Sequence, residues 1–208
     1  MARRRFRDRQ RRPSRSSQLR PPRRRLLVLC EGRVTEPSYI RGLERWLRNA
    51  AVEVVISDVQ GVPKTLVDEA IALNRAAERE AKRQRDDFLR YDEVWCVFDV
   101  DAHPHLAESI QRAAAHGIQL AISNPCFELW LLLHFRDSPG ARQRREMQKL
   151  LRQQIPGYAK RIDFDIVSSG LNDACQRASR LDREARLQGE ERRNPTTGLY
   201  RLVSSIEG

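Results

Sequence analysis

Apolar residues fall in short unbroken runs, and the stretches between them switch to helical spacing. Leu26-Leu27-Val28-Leu29-Cys30 is apolar at every position, as in a strand buried on both faces of a parallel sheet. It stops at Glu31-Gly32. Thr35 then stands where a helix cap is expected. Pro37 falls in the first turn, and Tyr39, Ile40, Leu43, Trp46 and Leu47 share one face. Residues 52–59 predict a second strand, broken by Gly61 and Pro63. A long helix over 64–89 follows, with Leu66, Val67, Ile71 and Leu73 on its apolar face and almost wholly charged later turns. A third strand is expected at 94–98, a helix at 105–116 ended by Gly117, and a fourth strand at 118–122. Asn124-Pro125 then caps a strongly apolar helix over 126–135. This alternation predicts an α/β fold, a Rossmann-like parallel sheet of about four strands flanked by helices. Residues 137–208 read as a helical C-terminal portion, with helices at 142–154, 171–188 and 196–206 and an irregular stretch at 155–170.

Charge alters the picture less than its total suggests. The chain of 208 residues carries a formal charge of +11, but residues 1–25 hold twelve Arg against Asp8 alone. The remaining 27 basic and 27 acidic side chains cancel. Residues 1–25 also contain Pro13, Pro21 and Pro22 and little to bury, so they read as a disordered Arg-rich tail preceding a folded region over 26–208. Arg23, Arg24 and Arg25 end that tail. They are its candidate nucleic-acid contacts, since each guanidinium can neutralise a phosphate. A solubilising extension, or a start codon placed too far upstream, explains the tail as well. No run is long enough for a secretory h-region or a membrane span, so a cytoplasmic protein is expected. Cys30, Cys96, Cys126 and Cys175 are widely spaced and form no CxxC pair. They read as reduced cysteines, not zinc ligands.

The candidate chemistry lies at the strand ends, where open parallel sheets bind ligands. The first strand ends in Glu31 and the third in Asp99-Val100-Asp101. Gathering carboxylates in one crevice is costly unless a cation neutralises them, and oxygen donors suit Mg2+ or Mn2+. Solvated loop acids or helix caps are the plain alternative.

These residues also carry a resemblance. Leu27-Val28-Leu29-Cys30-Glu31-Gly32 with Thr35-Glu36-Pro37, and Val97-Phe98-Asp99-Val100-Asp101, resemble the Toprim motifs shared by topoisomerases, bacterial primases and overcoming-lysogenization-defect nucleases. The run Ala121-Ile122-Ser123-Asn124-Pro125-Cys126-Phe127-Glu128-Leu129-Trp130 and its continuation to Phe135 resembles the RloB-like family, over about 26–206. The resemblance implies a Toprim core at about 26–136. It makes Glu31 a general acid/base or metal ligand, and Asp99 and Asp101 Mg2+ ligands. It further implies a Mg2+-dependent nuclease acting on DNA or RNA, tRNA included, in antiphage defence or abortive infection. The chain is too short for the extra domains of topoisomerases and primases, which favours phosphodiester hydrolysis. Family members are often encoded beside an ATPase. With no P-loop motif in this chain, an ATPase partner is expected. A non-catalytic nucleic-acid-binding or regulatory subunit is the alternative, and homo-oligomerisation is left open.

A second tier of residues surrounds these. Glu36 lies one turn into the first helix, where a favourable helix-dipole position explains it equally. His103 follows Asp101 by two and is either a site residue or an exposed loop histidine. Asn124 starts a helix whose amides face the strand ends, although capping accounts for it. Glu128, in an otherwise apolar helix, either points into the metal crevice or bonds structural donors. Lys160 and Arg161 read as solvated, with phosphate contact as the alternative. His134 reads as a satisfied core histidine, and Trp46, Trp95 and Trp130 as core.

Overall fold

A computed structural model describes residues 23–100 and 105–208. Its strands are β1 (Arg24–Cys30), β2 (Val52–Ile56), β3 (Glu93–Asp99), β4 (Gln119–Asn124) and β5 (Thr196–Thr197). Its helices are α1 (Thr35–Leu47), α2 (Pro63–Gln84), α3 (Leu106–Ala115), α4 (Phe127–Leu133), α5 (Arg144–Gln154), α6 (Asp165–Ser168), α7 (Leu171–Leu187) and α8 (Leu199–Glu207). The sheet order is β2-β1-β3-β4-β5. The first four strands are parallel and β5 runs antiparallel to β4.

Side-chain alternation along β1 and β3 builds two cores. Leu26, Val28 and Cys30 of β1, with Trp95 and Val97 of β3, pack under α1, α4 and the C-terminal helices. Leu27, Leu29, Val94, Cys96 and Phe98 point the other way, onto Leu66, Val67 and Ala70 of α2 and Ala113 of α3. With helices on both faces, the strands read as continuous apolar runs. Asp99 shares the parity of Trp95 and Val97, so it faces the α1/α4 side at the carboxyl end of the sheet.

The departures from expectation have local causes. The sheet has five strands because Thr196-Thr197 is not the start of a helix. Thr197 Oγ1 meets Ser123 Oγ at 2.8 Å, and α8 begins only after Gly198. β2 ends at Ile56, short of residue 59. Helix α2 ends at Gln84, with Arg85 left-handed at φ 54°, and Asp86 caps a separate 3-10 turn at Asp87–Leu89 by accepting from the Phe88 amide. Its charged later turns bury only Ala81, so little holds it to the sheet. Helix α1 starts with Val34 as its cap and Thr35 inside the first turn. Trp46 is 47% exposed, not core: it overhangs the end of α1 and leans on Phe164 at 5.9 Å. The stretch 155–170 carries α6 and seats Tyr158, Ile162, Phe164 and Val167 in the core.

Arg24 and Arg25 belong to the sheet, not to a free arm. Arg24 pairs with Glu93, while Arg25 reaches Glu53 at 3.4 Å and the Leu89 carbonyl at 2.8 Å. Acids on both neighbouring strands draw the first arginines into β1, two residues earlier than the apolar run begins. They sit at the amino end of the strand, away from the ligand-binding edge. Arg23 is exposed and precedes the strand; the rest of the tail lies outside the described residues. All four cysteines are free thiols.

His134 is satisfied within the core. The Val167 carbonyl can only accept, so Nδ1 donates to it at 2.8 Å. Nε2 then accepts from the Tyr39 hydroxyl at 3.1 Å. Burial holds its pKa down to about 4, the Val167 bond opposing. The unfolded imidazole takes a proton below about pH 6.5, whereas the folded one resists until about pH 4. Stability is therefore expected to fall as pH drops through this window, by up to ~3 kcal/mol, and His134→Gln should flatten that slope in urea denaturation. By the same measurement, Leu29→Ala should cost about 2–5 kcal/mol and the exposed Leu187→Ala under about 0.5 kcal/mol.

Candidate functional site

The carboxyl ends of β1 and β3 open into a cavity of about 480 Å3. Its carboxylates are Glu31, Glu36, Asp99 and Glu128, and its basic residues are Arg33, Arg144 and Lys160. Glu31 follows β1 directly, and its amide donates to the Val97 carbonyl at 2.9 Å, extending the ladder by one residue. The Asp99 amide in turn donates to Glu31 Oε2 at 3.1 Å, which ties the two strand-end acids together. Glu36 reaches the cavity from the first turn of α1, where it is buried. Its carboxylate lies so close to Gly32 that a side chain at residue 32 would collide with it. A side chain there would have to push the flexible end of Glu36 aside. Glu128 enters from the first turn of α4 and accepts from Gln148 Nε2 at 3.1 Å.

Electrostatics define what the cavity lacks. Burial pushes the Asp99 carboxyl well above the usual range; Arg144 opposes this, and Glu36, Glu128 and Glu31 add to it. Glu36 is likewise raised, first by burial and then by Glu128 and Glu31, while its own amide and that of Gly32 pull it down. Arg144 Nη2 stands 3.1 Å from Asp99 Oδ2, the closest cationic answer to this crowding. Among the described residues, no three His, Cys, Asp or Glu side chains converge tightly enough to hold a metal ion. The donor set nevertheless suits a hard divalent cation. It is all oxygen, it lies at the ligand-binding edge of the sheet, and it gathers four carboxylates in one cavity.

The sequence-derived candidates separate here. Glu31, Asp99, Glu36 and Glu128 share the cavity, and Lys160 stands at its rim. Lys160 takes φ 69° between the bridged residues Ala159 and Arg161, a left-handed turn that sets it against the opening. Both alternatives for Glu128 hold at once, since it lines the cavity and accepts from Gln148. Asn124 does not cap α4: it ends β4, and its Nδ2 donates to the Arg192 carbonyl at 2.8 Å. Cys126 occupies the cap position. Asp101 and His103 lie outside the described residues. Arg33, Arg144 and Gln148 were not singled out from the sequence. Arg144 and Gln148 lie one turn apart on α5, but Arg144 and Arg145 are indistinguishable as letters, and only the docking of α5 selects the first.

The raised Glu36 carboxyl gives a signed expectation. Its folded pKa exceeds its unfolded one, so its contribution to stability is lost as pH rises from the ordinary carboxylate range through the folded value. Glu36→Gln should therefore stabilise the protein at pH 7–8 and lose that advantage near pH 4. Thermal unfolding at the two pH values checks this.

No helix among the described residues is long and apolar enough to cross a membrane. Searches of curated proteins and of solved structures returned no match. The family model described as RloB-like protein matches residues 26–206, from the first apolar position of β1 to the last turn of α8. The chain therefore belongs to the RloB-like family.

Proposed function

We propose that this protein is a Mg2+- or Mn2+-dependent nuclease that hydrolyses phosphodiester bonds of DNA or RNA. The observation that carries the reading is the four-carboxylate cavity at the carboxyl edge of the parallel sheet, faced by Arg144 and Lys160. Glu31 and Asp99 would hold the cation, joined by Asp101, which the Toprim-like Asp-Val-Asp run assigns with them. When bound, the cation would supply an activated water and neutralise charge on the phosphoryl group. The chain's own residues do the rest. Arg144 and Lys160 offer donors to phosphate oxygens. Glu36, whose carboxyl binds a proton more readily than a solvated one, is placed to accept a proton from the attacking water. Gln148 keeps Glu128 turned into the cavity.

RloB-like membership and the resemblance to abortive-infection components support a role in antiphage defence. The resemblance to proteins encoded beside an ATPase supports an ATPase partner, which would supply any ATP hydrolysis, since this sequence carries no P-loop motif. A second reading, a non-catalytic nucleic-acid-binding or regulatory subunit, is favoured by one observation: the Asp99 carboxylate is already paired with Arg144.

Cleavage of DNA, tRNA and other RNA with Mg2+ or Mn2+ separates the two. Asp99→Asn, Asp101→Asn and Glu31→Gln are each expected to reduce cleavage by about a thousandfold or more while leaving far-UV circular dichroism unchanged. Binding without cutting under every cation condition, or variants as active as the parent, would favour the second reading.

A further inference from the structure

The cavity is lined by carboxylates and by basic side chains, and one ion pair joins the two sets. Asp99 is buried among other carboxylates at the end of β3, yet its Oδ2 meets the Arg144 guanidinium at 3.1 Å. Arg144 itself is 40% exposed. It is the first residue of α5, directly after the Gln143 cap, where Gln143 and Glu146 close a reciprocal capping box. That box fixes the helix start without engaging the Arg144 side chain. The guanidinium therefore stands on a fixed helix start and is partly open to solvent.

We propose that Arg144 is a displaceable counter-ion, standing on Asp99 while the cation subsite is empty and turning to a substrate phosphate once a divalent cation takes its place. The proposal rests on the nuclease reading above for the identity of that phosphate, and it assigns a positioning residue which that reading leaves static. Three observations carry it. The first is competition: Arg144 stands on one oxygen of the Asp99 carboxylate, and a divalent cation bound to the same carboxylate would repel the guanidinium. The second is compensation. Four carboxylates line one cavity and require positive charge, and Arg144 brings it to 3.1 Å from the most buried of the strand-end acids. The third is shape. A guanidinium is a planar fork of donors that fits phosphate as it fits carboxylate, so one side chain serves both partners. Lys160 at the rim and Gln148 one turn along α5 line the same cavity, so the released guanidinium remains beside polar groups.

Such an exchange links the two ligands with opposite signs at Arg144. Removing it should help the metal and hurt the phosphate. The test measures Mn2+ binding by electron paramagnetic resonance of the free ion. A parallel arm measures binding of a labelled phosphorothioate oligonucleotide at saturating Ca2+. Arg144→Ala is expected to bind Mn2+ about tenfold more tightly and the oligonucleotide about tenfold more weakly. Arg144→Lys keeps the charge and loses the fork. It should bind Mn2+ as the parent does and the oligonucleotide with intermediate affinity. Mn2+ affinity unchanged or weakened in Arg144→Ala would overturn the proposal, as would both affinities moving the same way. Failure of the nuclease reading looks different: the parent leaves nucleic acid uncut while the two opposed binding shifts are intact.

Discussion

The burial of Asp99 beside three other carboxylates is the constraint around which this protein is arranged. A charged group at the end of a central strand, in a cavity walled by Glu31, Glu36 and Glu128, is unfavourable unless something answers it. The fold supplies two answers, the Glu31–Asp99 backbone tie and the Arg144 ion pair. Each depends on a different part of the chain. The first needs β1 and β3 in parallel register, with Cys30 opposite Val97. The second needs α5, from the C-terminal portion, packed against α4 so that its first residue reaches across to the sheet. A folded region held together by apolar strands thus carries, at one edge, an electrostatic demand that its core does not satisfy.

That demand explains why the C-terminal portion matters to the site. Tyr158, Ile162, Phe164 and Val167 seat the 155–170 stretch in the core, and the turn they anchor sets Lys160 at the cavity rim. His134 ties α4 to the same stretch through Val167 and to α1 through Tyr39. The helix that presents Glu128 and the helix that presents Glu36 are therefore braced on one buried imidazole.

Much of this was legible in the sequence, and the physics says which parts. The central strands β1 and β3 carry unbroken apolar runs, Leu26–Cys30 and Val94–Phe98, so their existence follows from double-sided burial. The acids that end them fall at the ligand-binding edge by topology alone. Glu31 and Asp99 were accordingly legible without any fold in hand, whereas Glu36 and Glu128 were ambiguous until helix orientation turned both inward. Arg144 was not legible, because nothing local distinguishes it from Arg145 and its partner is 45 residues away. Trp46 was misread because helical periodicity reports a face and not where the core beneath that face ends. Arg24 and Arg25 were misread because charge grouped them with the tail, while their partners Glu93 and Glu53 lay on strands not yet assembled. Thr196-Thr197 joined the sheet through the Ser123 hydroxyl, a pairing too short to leave a periodic signal.

The central claim is that the acidic cavity is a divalent-cation site. Anomalous diffraction from crystals soaked in Mn2+ tests it most directly. The account predicts a strong anomalous peak within coordination distance of the Glu31 and Asp99 carboxylates, with the Arg144 guanidinium moved off Asp99. A cavity without a peak at saturating Mn2+, with Arg144 still bonded to Asp99, would contradict it.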